Sequence, residues 1–167
     1  MTGRVVVWLT EGTWEAAVDA AASALGAATS DTQAVLLYVV DSQVSEALHG
    51  AFGGLLGRGT RDRDPGTVVE ITAREAASEL LLDAQHRLGR PADPVVRVGL
   101  VEREVVAACE GADLLVCARD GDHSRLGPHS LGHHTRFVVD HAPCAVLLIW
   151  PDAVPDLGSI PPPPEGR

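Results

Sequence analysis

The 167-residue sequence predicts one α/β domain, a parallel sheet with helices on both faces. Two observations predict it. Short apolar runs such as "RVVVWLT", "AVLLYVVD" and "CAVLLIW" show no polar alternation, which suits strands buried on both sides. Helical segments stand between these runs, so strand and helix alternate along the chain. Right-handed crossovers and a switch in winding direction then put any ligand crevice at the carboxyl ends of the strands.

The elements follow in order. Residues 4–10 are rich in β-branched side chains and read as the first buried strand. In "EGTWEAAVDAAASALG", Thr13 can cap a helix whose apolar face takes Trp14, Ala17, Val18, Ala21 and Leu25, and Gly26 ends it. Residues 34–41 are the second strand. Residues 42–66 form a glycine-rich connection with one short helix from Val44 to Phe52, long enough to act as a mobile flap.

Residues 74–89 are a helix, since Ala77, Leu80, Leu81, Ala84 and Leu88 share one face. Residues 94–101 are the third strand, 102–111 a short helix and 112–119 the fourth strand. Residues 130–142 make the last helix and 144–150 the last strand. The domain covers residues 1–151. The proline-rich tail, 152–167, cannot continue as helix or strand and is expected to be disordered or extended.

Composition narrows the function classes. The net charge of −10 repels nucleic-acid phosphates, and no basic stripe is segregated from the acid. All 13 basic residues are arginine, which removes any mechanism that needs a lysine. The apolar runs are too short to span a bilayer, and no apolar segment follows a basic start, so a cytoplasmic protein is expected. Cys109, Cys117 and Cys144 form no CxxC pair, and Cys117 and Cys144, which sit in apolar strand-like runs, read as inert core residues.

Three turns lie at the carboxyl ends of the strands, after Thr10, Val40 and Arg119. The third opens "DGDHSRLGPHSLGHHTRF", which has the layout of a phosphate-binding turn running into a helix. The block "GADLLVCARDG" followed by "LGHHTRFVVDHAPCAVLLIW" resembles the closing segment of the universal stress protein family: a strand, a G-2x-G-9x-G-(S/T) loop, a helix and a last strand. "VVVWLTEGTWEAAVDAA" and "LLYVVD" are similar to the family's first strand, acidic turn and second strand. The resemblance spans residues 4 to 150.

The resemblance implies an open, Rossmann-like five-stranded parallel sheet of order 3-2-1-4-5 and a homodimer joined along the last strand. It implies a stress-response module in one of two branches. One binds ATP or a related adenine nucleotide; the other binds none and acts through its dimer surface and flap on an unknown protein partner. Neither branch is a defined enzyme, and ATP hydrolysis is at most incidental. Position by position, Glu11 falls on an acidic residue facing the nucleoside, Thr13 on a serine, and Val39 where backbone groups pair with adenine. Ala118, Gly121 and Gly132 fall on the three loop glycines, and His133 on the serine or threonine, with Thr135 two residues on.

The loop departs from the pattern, reading A-2x-G-10x-G-H. Ala118 suits the turn only if its φ is negative. Gly132 still permits close approach at a helix N-terminus, and His133 can replace the lost hydroxyl donor. Arg119 and Arg125 could hold phosphates, while Asp120 and Asp122 would repel them or hold Mg²⁺. Binding of ATP or a related adenine nucleotide is the favoured expectation, because the helix N-terminus attracts anions, and mere retention of the loop's shape is the alternative. A zinc site among the crowded histidines is disfavoured, because His133 and His134 are adjacent on a helix and point about 100° apart. A hydrolase reading lacks both a nucleophile elbow and a placed base.

Overall fold

The computed structural model describes residues 3–27, 31–55 and 65–163. Five strands form one sheet: β1 (Arg4–Leu9), β2 (Gln33–Asp41), β3 (Asp93–Gly99), β4 (Leu114–Ala118) and β5 (Ala145–Ile149). Their order is β3-β2-β1-β4-β5, and all four pairings are parallel, as the sequence predicts. In β1 every residue after Arg4 is buried, because side chains that alternate between faces meet a helix layer on each.

Val5, Val7 and Leu9 pack with Leu36 and Val116 beneath α1 (Trp14–Gly26) and α3 (Pro65–Leu88). Val6 and Trp8 pack with Leu37 and Leu115 beneath α4 (Val101–Ala108) and α5 (His133–His141). The remaining helix, α2 (Ser42–Leu55), lies against α3. No helix among the described residues is long and apolar enough to cross a membrane.

Several boundaries shift by one to three residues from the sequence reading, and two differ by more. The connection after β2 is helical from Ser42 to Leu55, and the rest of the expected flap, residues 56–64, lies outside the described residues. Helix α3 starts at Pro65 rather than at residue 74. Its added turns carry Thr67, Val68, Val69, Ile71 and Thr72, whose β-branching argues against a helix. Packing on α2 overrides that preference, and Pro65 is well placed at the helix start, where no backbone N–H is required.

After β5 the chain is described to Pro163. Residues 151–163 run extended around one 3-10 turn, Leu157–Ser159, and fold back on the loop after β4, which their composition did not suggest.

Candidate functional site

Strands β1 and β4 are neighbours, yet β1 leads through α1 to β2 on one side and β4 through α5 to β5 on the other. Their carboxyl ends therefore diverge and open a crevice, the switch point of an open α/β sheet. Residues 10–13 form one lip and residues 119–132 the other.

On the first lip Thr13 precedes α1 but does not cap it, contrary to expectation. Its hydroxyl lies 2.7 Å from that of Thr10, so it closes the turn instead. The Glu11 carboxylate accepts a hydrogen bond from the Tyr38 hydroxyl at 3.3 Å. Burial raises the Tyr38 pKa, and the neighbouring Glu11 charge raises it further.

Strand β2 overshoots β1, whose last register partner is Tyr38, so β1 leaves residues 39–41 uncovered on that side. Val39 lies in this overhang beside a cavity of about 220 Å³. Val40, Val44, Val69 and Ala73 give the cavity apolar walls, and Asp41, Ser45 and Glu70 add polar groups to its lining.

The second lip begins at Ala118, the last residue of β4 and paired with Ile149. A strand backbone has negative φ, so the alanine methyl is tolerated where the family has glycine. Beyond it the loop bonds to itself. The amides of Gly121 and Asp122 donate to the carbonyls of Ser130 and His129 at 3.0 and 2.8 Å. A Cβ at Gly121 would strike the His129 carbonyl oxygen and stand 2.8 Å from the Ser130 carbonyl carbon. The retained glycine thus serves the loop's own closure.

At the start of α5, the Gly132 amide donates to Asp120 Oδ1 at 2.7 Å. A Cβ at Gly132 would lie 2.9 Å from the same carboxylate, so the close approach available to an anion is taken by Asp120. The negative carboxylate also complements the positive end of the helix. Arg119 turns inward: its guanidinium lies 4.5 Å from the centroid of the Trp150 ring and donates to Ser130 Oγ. Ser130 is fully buried and donates in turn to the Gly127 carbonyl at 2.7 Å.

The remaining expected site residues point elsewhere. His133 is exposed, its ring lies 3.7 Å from that of His134 at a tilt of 43°, and it lines a surface groove with Arg136, Phe137 and Asp140. Thr135 is only 1% exposed. The structure thus brings Ala118, Gly121 and Gly132 together in one loop, with Glu11 and Thr13 on the facing turn and Val39 at the end of β2. The contacts of Asp120, Arg119, Ser130 and Tyr38 around the crevice were not foreseen from the sequence. No local sequence signal points to Asp120, which stands twelve residues before the glycine whose amide it accepts from.

The acidic pair does not converge either, because Asp122 Oδ1 accepts from the Ser124 amide and hydroxyl at 2.9 and 2.6 Å. Among the described residues no group of histidine, cysteine or acidic side chains is arranged to hold a metal ion.

Comparison with known proteins places this geometry. The model of the universal stress protein family matches residues 1–149. The chain belongs to the universal stress protein family. Its fold is shared by the universal stress protein UspA from Lactobacillus plantarum, with 21% identity and a TM-score of 0.58, covering 89% of this chain and 97% of that one. A family protein from Burkholderia pseudomallei is 26% identical, with a TM-score of 0.52 over 89% of this chain and 96% of that one. A universal stress protein solved in complex with cAMP is 18% identical, with a TM-score of 0.60 over 90% of this chain and 98% of that one. No curated protein sequence matches the chain. Stress response is thus a property of the family to which this universal stress protein belongs.

Proposed function

We propose that this universal stress protein is a regulatory binding module whose switch-point loop is closed by its own carboxylate, so that it does not hold a triphosphate tightly. The Asp120–Gly132 contact at 2.7 Å carries this reading. A phosphate entering there must displace Asp120 or share the site with it. Two unit charges about 4 Å apart repel by roughly 4 kcal/mol at an effective dielectric constant near 20. The helix terminus returns only about 0.3–2 kcal/mol to an anion. The balance disfavours ATP, with or without Mg²⁺, and leaves the non-nucleotide branch of the family as the better fit. Calorimetric titration of the native protein with ATP and Mg²⁺ tests this: no saturable heat below millimolar ATP is expected. Co-purified ATP in native mass spectra would overturn it.

A second reading is favoured by the 220 Å³ cavity beside Val39. An adenine base fits a space of that size and apolar character. The cAMP-bound relative of the same fold indicates which nucleotide to try first. A cyclic monophosphate carries one negative charge and would tolerate Asp120 better than ATP does. Under this reading Val39 and Tyr38 flank the base, Glu11 and Thr13 face the nucleoside, and Gly121, Gly132, His133 and Thr135 make no phosphate contact. Titration with cAMP separates the two readings.

The module is proposed to be non-enzymatic, since Ser124 and Ser130 bond to Asp122, Gly127 and Arg119 and not to a histidine. A cytoplasmic location is proposed with it, a reading that the three free cysteines support. Homodimerisation along β5 is supported by the half-exposed apolar side chains of that edge strand.

A further inference from the structure

We infer that residues 151–163 form a reversible strap that holds the 119–131 loop in its closed, self-bonded form. Three contacts tie the strap to the loop, and each uses a different residue. The Leu126 amide donates to Ser159 Oγ at 3.0 Å. His123 stands between the two segments, with Nε2 at 2.9 Å from the Arg119 carbonyl oxygen and Nδ1 at 3.3 Å from Asp152 Oδ2. Pro161 lies over Gly127, its Cδ 3.9 Å from where a Cβ would stand. Trp150, at the root of the strap, carries the Arg119 guanidinium on its ring and meets His123 edge-on at 6.1 Å.

The strap presents Ser159 from a built turn. The Asp156 carboxylate accepts from the Gly158 amide at 2.7 Å, and the Asp156 carbonyl accepts from the Ser159 amide and hydroxyl at 2.9 and 2.6 Å. That hydroxyl is therefore oriented with a lone pair free for Leu126. The strap does not bury its own apolar side chains: Val154, Leu157 and Ile160 are 63%, 76% and 55% exposed. Its polar anchors hold it without a hydrophobic seal, which makes release and return facile. The family match ends at residue 149, so the strap is an addition of this chain to the shared fold.

The site of attachment determines the effect. Residues 123, 126 and 127 are three points on the arm of the loop that pairs with residues 129–130, and Arg119 on Trp150 marks where that arm begins. Fixing that arm keeps the Gly121 and Asp122 amides on the Ser130 and His129 carbonyls. With the strap released, the arm can lift, and those amides become available to a phosphate-bearing ligand. This last step rests on the reading that Asp120 closes the loop.

Hydrogen exchange on the full chain tests the strap without any ligand. In Ser159→Ala combined with Asp152→Asn, the Leu126 amide should exchange about tenfold faster, and the Gly121 and Asp122 amides should follow. Amides of β1 and α1 serve as the internal reference. A purely local contact would free Leu126 alone, so unchanged exchange at Gly121 and Asp122 would overturn the inference. The single variant Ser159→Ala should show the same pattern to a smaller extent. A second measurement separates the readings. ATP affinity should rise at least tenfold when the strap variant is added to Asp120→Asn, relative to Asp120→Asn alone. Failure of Asp120→Asn itself to bind more ATP than the native chain would sink the reading of Asp120, while the exchange result still decides the strap.

Discussion

Gly121 lies directly under the main chain of Ser130. Its amide donates to the Ser130 carbonyl at 3.0 Å, and no room remains for a side chain between the two backbones. The loop that begins β4's exit from the sheet is therefore a packed object, with specific steric limits.

Substitution at this point should be costly. Gly121→Ala forces a methyl against the carbonyl groups of His129 and Ser130 and should destabilise the fold by about 1–3 kcal/mol. Ala118→Gly, which restores the family residue, should cost about 0.5–1 kcal/mol, because glycine loses backbone entropy in a strand. Thermal denaturation of both variants checks the ordering, and equal melting temperatures would refute it.

Three thiols should differ in reactivity. Burial pushes the Cys109 thiol up to about 12, with neighbouring Cys144 adding to the effect. Burial does the same to Cys117, also to about 12, with help from Asp120. Thiolate is the reactive species, so neither should alkylate in the native protein at pH 8. Cys144 is partly exposed and should react with iodoacetamide first. Peptide mass spectrometry with and without denaturant reads the outcome directly.

The acid limb of stability should depend on Glu102. Its carboxyl is held below the ordinary range by a hydrogen bond from its own backbone and by His134, whose Nδ1 lies 2.6 Å away, against an opposing effect of burial. A depressed carboxyl pKa adds stability above the unfolded value, about 4.3, and that stability is lost as pH falls through the folded value. Glu102→Gln should therefore lower stability by about 0.5–1 kcal/mol at pH 7. The difference between the two proteins should vanish below the carboxylate range. Denaturant titrations at pH 7 and pH 3 suffice to check it.

Assembly should respond to the edge strand. Leu147 sits in the middle of β5 and is 36% exposed. A dimer along this edge would bury it. Light scattering should give twice the chain mass for the native protein and the chain mass for Leu147→Asp. A native monomer at micromolar concentration would rule the dimer out.

The sheet was legible because its strands are runs such as "VVVWL" and "AVLLYVV", in which nearly every residue is apolar. Burial on both faces leaves no other arrangement for such runs. The start of α3 was not legible, because Thr67, Val68, Val69 and Ile71 prefer strands, and the contact of α3 with α2 has no signature in the sequence. In the loop, the departures at Ala118 and His133 could be counted from the sequence. The role of Asp120 could not, since a carboxylate that repels phosphate and one that replaces it are the same residue until its partner amide is located. His133 shows the converse problem: its position in the pattern suggested a ligand contact, while its side chain lies against His134 on the outer face of α5.

The pairing of β1 has a consequence for how the chain is made. Val5 meets Ala34 on one side and Leu114 on the other. A ribosome extrudes β1 first and supplies its first neighbour soon afterwards, but the second arrives about a hundred positions later. Until then the nascent chain carries a bare apolar edge in what will be the middle of the sheet, a state exposed to mispairing and suited to chaperone capture. Docking of β4 should be the late event in maturation, since closing so long a loop is entropically slow.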